Sequence, residues 1–128
     1  MKKVLSLILL PILLTACQSK CVQIKGMAYQ GKLKETPILI AFDKTNNHYF
    51  GKVVNNYFGT YTQDEDAISF LPGGSTMMMG PAQDMVQEQE WFKLLGQVTH
   101  IETTNNGLIL KLQNGQTITL EKTNYPEQ

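Results

Sequence analysis

Cys17 ends the tetrad Leu14-Thr15-Ala16-Cys17, which has the residue order of a bacterial lipobox. A cysteine thiol is the soft nucleophile that a diacylglyceryl donor can alkylate, and small residues ahead of it let an extended chain enter a peptidase site. Lys2, Lys3 and the apolar run from Val4 to Leu14 precede it, the charged start and apolar stretch of a secretory leader. The run falls short of the roughly 20 residues that span a bilayer as a helix. These features predict a signal peptide over 1–16, cleavage between Ala16 and Cys17, and lipid on Cys17. The competing reading is an ordinary secretory leader that happens to end at a cysteine. Cys21 follows Lys20, which is neither small nor neutral, and is no second lipidation site. With Cys17 consumed by lipid, Cys21 has no internal disulfide partner and reads as part of a solvated tether over 17–21.

Four methionines, Met77, Met78, Met79 and Met85, form the next chemically suggestive group. Thioethers are soft ligands suited to Cu(I). Ser75 to Met79 reads as a strand, however, with Met77 and Met79 on one face and Met78 on the other. Thioethers also fill irregular gaps beneath a helix, so core packing is the reading adopted, with no metal and no cofactor. Asp64-Glu65-Asp66 lacks the spaced oxygen ligands and glycine of a calcium loop and reads as a solvated turn. Pro72-Gly73-Gly74-Ser75-Thr76 has no lysine to meet a phosphate. Ser69, Ser75 and His100 lack a nucleophile elbow, and His48 is isolated. No catalytic constellation emerges. Trp91, Tyr57, Phe58 and Tyr61 read as core and rim aromatics.

The composition narrows the partners. Lys plus Arg and Asp plus Glu each number 11, and every cation is a lysine. Losing Lys2 and Lys3 with the leader turns this neutral balance into a net −2. Without arginine forks or a basic stripe, nucleic acid is not an expected partner.

The elements that must position these groups are mostly strands. Val22 to Tyr29 suggests a first strand with Gly26 as a bulge, followed by a Lys-rich loop over Gly31 to Pro37. Ile38 to Phe42 is a short apolar run suited to a buried strand. Asp43 to Asn47 carries turn chemistry, and Tyr49 to Val54 is its partner strand. Asn55 to Tyr61 reads as a turn-rich aromatic segment, and Ala67 to Leu71 as a strand ended by Pro72-Gly73-Gly74. Gly80-Pro81 opens a helix to Leu95, since proline suits the first helical position. Ala82, Met85, Val86, Phe92 and Leu95 fall on one side of it. Asn106-Gly107 and Asn114-Gly115 join three closing strands as hairpins. The domain thus covers 22–122, with a flexible tail over 123–128.

The residues Phe50-Gly51, Asn55-Asn56-Tyr57-Phe58-Gly59-Thr60-Tyr61, Ser75-Thr76-Met77-Met78-Met79-Gly80-Pro81, Gln87-Glu88-Gln89-Glu90 and Phe92-Leu94-Leu95 resemble the META / HslJ-like domain. The resemblance runs from about Val22 to Lys122. It implies a small envelope protein, often a lipoprotein linked to heat shock and stress resistance, with an antiparallel sheet curled around one helix and no agreed enzymatic activity. It marks Asn55, Tyr57, Phe58, Gly59, Ser75, Thr76, Met77, Met78, Met79, Phe92 and Leu95 as the heart of the family motif. Many members carry a cysteine pair at positions that correspond here to Val54 and Gly80. Its loss leaves packing alone to hold these two segments and puts a redox role for the pair out of reach.

The expected fold is α+β: a curved, half-barrel-like antiparallel sheet of seven or eight strands, with the helix over 81–95 across its open side. The expected function is that of a non-catalytic, membrane-anchored envelope lipoprotein acting through binding. Its partner is the membrane through lipid on Cys17, and Gln18 favours the outer membrane facing the periplasm. The alternative is a carrier or sensor of an apolar small molecule held between helix and sheet.

Overall fold

A computed structural model describes residues 22–127. The leader, its cleavage point, Cys17 and Cys21 lie outside the described residues. The chain order is β1 (Ala28–Leu33), β2 (Thr36–Phe42), β3 (His48–Lys52), β4 (Asn56–Asp64), β5 (Ala67–Ser75), α1 (Ala82–Leu95), β6 (Val98–Thr103), β7 (Gly107–Leu112) and β8 (Thr117–Thr123). Each strand pairs antiparallel with the next, and β8 returns to β1 through Ala28↔Thr123, Tyr29↔Lys122 and Gln30↔Glu121. The fold is therefore α+β with one helix and a strongly curved sheet, and the curvature goes to completion. Eight strands close a barrel, which leaves no sheet edge at β1 or β8.

Several turns follow their local chemistry. The Asp43 Oδ1 accepts the Thr45 and Asn46 amides at 2.9 and 3.0 Å. Those bonds, Asn46 first, hold the Asp43 carboxyl below its usual range. Gly115 supplies a φ of +85° between β7 and β8, a region open to glycine at little cost. Where Val22 to Tyr29 suggested a strand, Gly26 at φ +75° turns the chain instead, and β1 begins at Ala28. The Lys-rich stretch is then strand and a tight turn, because Lys34 and Glu35 both accept positive φ.

The largest departure from the sequence pattern is in β4 and β5. Asn55 to Tyr61 is not a turn: from Asn56 onward it is strand, with Tyr57, Gly59 and Tyr61 facing inward and Phe58, Thr60 and Thr62 outward. Two glycines make this packing feasible. A Cβ on Gly51 would stand 2.0 Å from the Leu39 carbonyl oxygen and 2.5 Å from the Tyr57 hydroxyl. A Cβ on Gly59 would meet the Leu71 carbonyl at 2.3 Å and the Tyr49 hydroxyl at 2.4 Å. Tyr57 lies flat over Gly51 of β3 and donates to the Leu39 carbonyl of β2 at 2.7 Å. Tyr49 does the same over Gly59 of β4, donating to the Leu71 carbonyl of β5 at 3.0 Å. Each tyrosine thus crosses one strand and fastens the one beyond.

β5 continues through Pro72-Gly73-Gly74 rather than ending there, with a bulge that sets Gly59 opposite Pro72 and Phe58 opposite Gly74. On its other side it meets β6 only at Ala67↔His100. Past that point β5 has a free edge, where a proline costs no ladder bond.

The helix spans Ala82–Leu95 with Pro81 as its N-cap residue. It lies against the turns at one end of the barrel: Val86, Gln87 and Glu90 share a cleft with Leu33, Lys34 and Gln116. Its buried residues are Gln87, Glu88, Trp91 and Leu95. The apolar stripe read from the sequence is thus rotated away from the core; Val86 is exposed, Met85 and Phe92 are half-buried, and only Leu95 keeps its expected place.

The methionine segment also departs from expectation. Thr76 still donates to the Asn56 carbonyl at 2.9 Å, but residues 76–80 form no strand. Met77, Met78 and Met79 are 96%, 61% and 93% exposed, so they do not pack the core. Finally, the expected flexible tail is fixed in part. β8 reaches Thr123, the Tyr125 hydroxyl donates to the Phe42 carbonyl at 3.2 Å, and its ring meets Phe50 edge-on.

Candidate functional site: the helix–barrel junction and its apolar pocket

Three side chains on one edge of α1 bind three separate parts of the barrel. Asp84, in the first turn, accepts a hydrogen bond from the buried Thr36 hydroxyl at 2.8 Å. Glu88, one turn on, is 1% exposed. Its Oε2 accepts the backbone amides of Val54 and Asn55 at 2.9 and 2.6 Å, and its Oε1 accepts the Asn55 side-chain amide at 2.8 Å. Trp91, fully buried, donates from Nε1 to the Tyr57 hydroxyl at 2.9 Å. Spacings of four and three residues put all three on one helix face. A buried carboxylate is tolerated only when its oxygens are satisfied, and here three N–H donors converge on it.

Asn55 extends this junction to the segment ahead of the helix. Its Oδ1 accepts the Thr76 hydroxyl at 2.9 Å and the Met78 amide at 2.6 Å, while its Nδ2 also reaches the Met78 carbonyl at 3.3 Å. One buried side chain therefore joins the β3–β4 turn, the helix and the methionine segment. Burial pushes the Tyr57 hydroxyl well above its ordinary pKa; the nearby Tyr49 and Glu88 add to this, and the Trp91 bond only partly offsets it.

Beside the junction, where β5 leaves β6, lies a cavity of about 270 Å³. Tyr49, Tyr57, Phe58, Phe70, Phe92 and Leu95 supply most of its wall. Tyr57 and Phe92 meet edge-on at 5.3 Å between ring centroids, and Tyr49 and Phe70 at 5.2 Å. Both tyrosine hydroxyls that line it are already bonded to backbone carbonyls. The arrangement is suited to burying an apolar group against aromatic faces rather than to moving protons.

The family-motif residues divide between these features. Asn55 is the hub, Thr76 binds it, and Tyr57, Gly59 and Leu95 are buried. Phe92 and Phe58 line the pocket, Ser75 faces it from β5, and Met77 to Met79 project from the pinned segment. Sequence reasoning used Gln87 and Glu88 only to mark the family resemblance, gave Asp84 no role at the site, and placed Trp91 only among the core and rim aromatics. The signal that could have found them was the spacing Asp84, Glu88, Trp91. His100 shares its hydrogen bond with the hydroxyl of its neighbour Thr99 at 2.9 Å, not with Ser69 or Ser75. Asp64, Glu65 and Asp66 are exposed, with Glu65 at φ +60° in the turn. Among the described residues, no group of His, Cys, Asp and Glu could hold a metal ion.

Val54 and Gly80 lie against each other. A Cβ on Gly80 would stand 3.6 Å from the Val54 Cβ and 2.7 Å from its Cγ1. Packing alone does not hold these segments, since the Asn55 bonds join them too. The separation matches the roughly 3.5–4.5 Å between Cβ atoms of a disulfide. Val54→Cys with Gly80→Cys, in a Cys21→Ser background, should therefore form a disulfide on air oxidation. The bond should stabilise the fold by about 3.5 kcal/mol for a loop of this length. Free thiols after oxidation, counted by mass after alkylation, would contradict the geometry.

Comparison with known proteins agrees with this architecture. Residues 14–125 match the model of the META domain. A solution structure of a Burkholderia xenovorans protein superposes with a TM-score of 0.64 at 18% identity, covering 78% of this chain and 83% of that one. Another solution structure gives 0.58 at 17% identity over 77% of this chain and 91% of that one. A DUF4847 family protein from Bacteroides vulgatus gives 0.51 at 17% identity, covering 70% and 61%. At these identities the likeness is one of fold. Among curated proteins none matches the chain. With a family model matched over nearly its whole length, eight strands closed around a tyrosine-rich interior and one helix fastened across the end, this chain belongs to the META domain family.

Proposed function

We propose that the protein is a lipid-anchored, non-catalytic binding protein of the bacterial cell envelope that supports stress tolerance. The observation that carries the anchoring is the sequence Leu14-Thr15-Ala16-Cys17 behind a charged, apolar leader. Several acyl chains on Cys17 would hold the domain in the membrane, each buried CH₂ adding about 0.8 kcal/mol. Gln18 after the lipidated cysteine favours the outer membrane, with the domain facing the periplasm. Binding rather than catalysis is supported by the pocket, whose tyrosine hydroxyls are engaged and whose walls are aromatic.

The placement of the two ends suits this role. The Val22 carbonyl is held by Gln63 Nε2 at 2.7 Å, near the far end of β4. At about 3.3 Å per residue along β4, Tyr57 at the pocket lies about 20 Å from Gln63. A tether joining at Val22 would therefore hold the base of the barrel toward the lipid and the pocket away from it. The second reading, favoured by the same cavity, is a carrier or sensor of an apolar small molecule taken up between α1 and β5.

Cys17→Ser should block lipidation and leave an uncleaved, unanchored precursor in a bacterial host; normal processing and membrane attachment of that variant would contradict the anchoring. The carrier reading is tested on the folded protein with a hydrophobic fluorescent probe. Saturable uptake that Phe92→Trp diminishes by filling the pocket is the expected result, and absence of uptake would contradict it.

A further inference from the structure

We infer that Met77 and Met79, with Met78 beside them, form a thioether site for a soft monovalent cation of the Cu(I) class. Packing cannot explain these side chains, since two are more than nine-tenths in solvent. An ordinary exposed turn has no use for three consecutive long apolar residues. Their segment is nevertheless held in place, because the Asn55 side chain bonds both the amide and the carbonyl of Met78. Asn55 is itself fixed by the buried Glu88.

This arrangement gives the sulfurs a fixed base and free reach. Met77 and Met79 flank the pinned Met78 on a segment that belongs to no strand or helix. Each methionine has three rotatable bonds, enough for two sulfurs to close on one ion. The chemistry of the stretch is selective as well. From Ala67 to Gln83 no side chain is charged and none is imidazole or thiol. A hard divalent ion finds no carboxylate there and a borderline one no nitrogen, whereas thioethers alone favour Cu(I). No change of oxidation state is involved; the ion is bound and released.

The test uses Ag(I), a soft ion of the same charge that is not oxidised in air, added to purified protein whose cysteine thiols have been alkylated. Methionine methyl NMR should show saturable shifts at Met77 and Met79, with Met27 and Met85 unmoved. In Met77→Leu with Met79→Leu the neighbouring Met78 methyl should no longer respond to Ag(I), while the melting temperature stays unchanged, since both substituted positions are exposed. Absence of shifts at Met77 and Met79 would overturn the site. So would shifts of equal size at Met78 in the double variant. Signals that respond only to protein concentration or to added lipid vesicles, and not to Ag(I), would identify a docking patch and also overturn it.

Discussion

A buried carboxylate holds this molecule together at its most vulnerable point. Glu88 leaves water entirely, a loss that becomes tolerable only when both oxygens are satisfied, and the three N–H groups that satisfy them all come from Val54 and Asn55. The barrel is a meander whose ladders run strand to strand. What those ladders cannot do is orient a helix lying across the ends of the strands. Thr36 at Asp84, the β3–β4 turn at Glu88 and Tyr57 at Trp91 fix that orientation at three successive points. Hydrogen bonds to charged groups contribute about 1.5–3 kcal/mol each, more than neutral ones.

The same junction organises what surrounds it. With its polar edge committed to the barrel, the helix turns Phe92 and Leu95 toward the seam where β5 parts from β6, and the aromatic pocket is the space left there. The tyrosines that line it depend on glycines. Tyr57 and Tyr49 can lie across β3 and β4 only because Gly51 and Gly59 have no side chain. Asn55 carries the constraint outward and bonds Met78, so an exposed segment outside any strand or helix is tied to the junction.

The strands with simple alternation or Asn-Gly turns were legible in the sequence, as were the limits of the helix, because local backbone preference and burial pointed the same way. β7 and β8 are the clearest case. The helix face was not legible, because it was sought among apolar residues while the buried edge carries Gln87 and Glu88 beside Trp91 and Leu95. Glycine misled the reading of β4 and β5. Gly59, Gly73 and Gly74 look like turn residues, yet they serve as inward or bulged strand positions where neighbouring aromatics need room. The methionines failed for a related reason: an apolar residue type was read as core, whereas its backbone belongs to Asn55. The pocket depends on where β5 and β6 separate, a tertiary fact with no local signature.

These features describe a small binding domain whose rigid element is polar and internal, and whose pocket and methionine segment are arranged around it. The most direct test is a double-mutant cycle of Asn55→Ala and Glu88→Ala, followed by denaturant unfolding. Contacting buried partners couple by about 0.5–3 kcal/mol, and a coupling in the upper half of that range is predicted here. Additive losses would contradict the account, since they would mean that the helix and the β3–β4 turn are held independently.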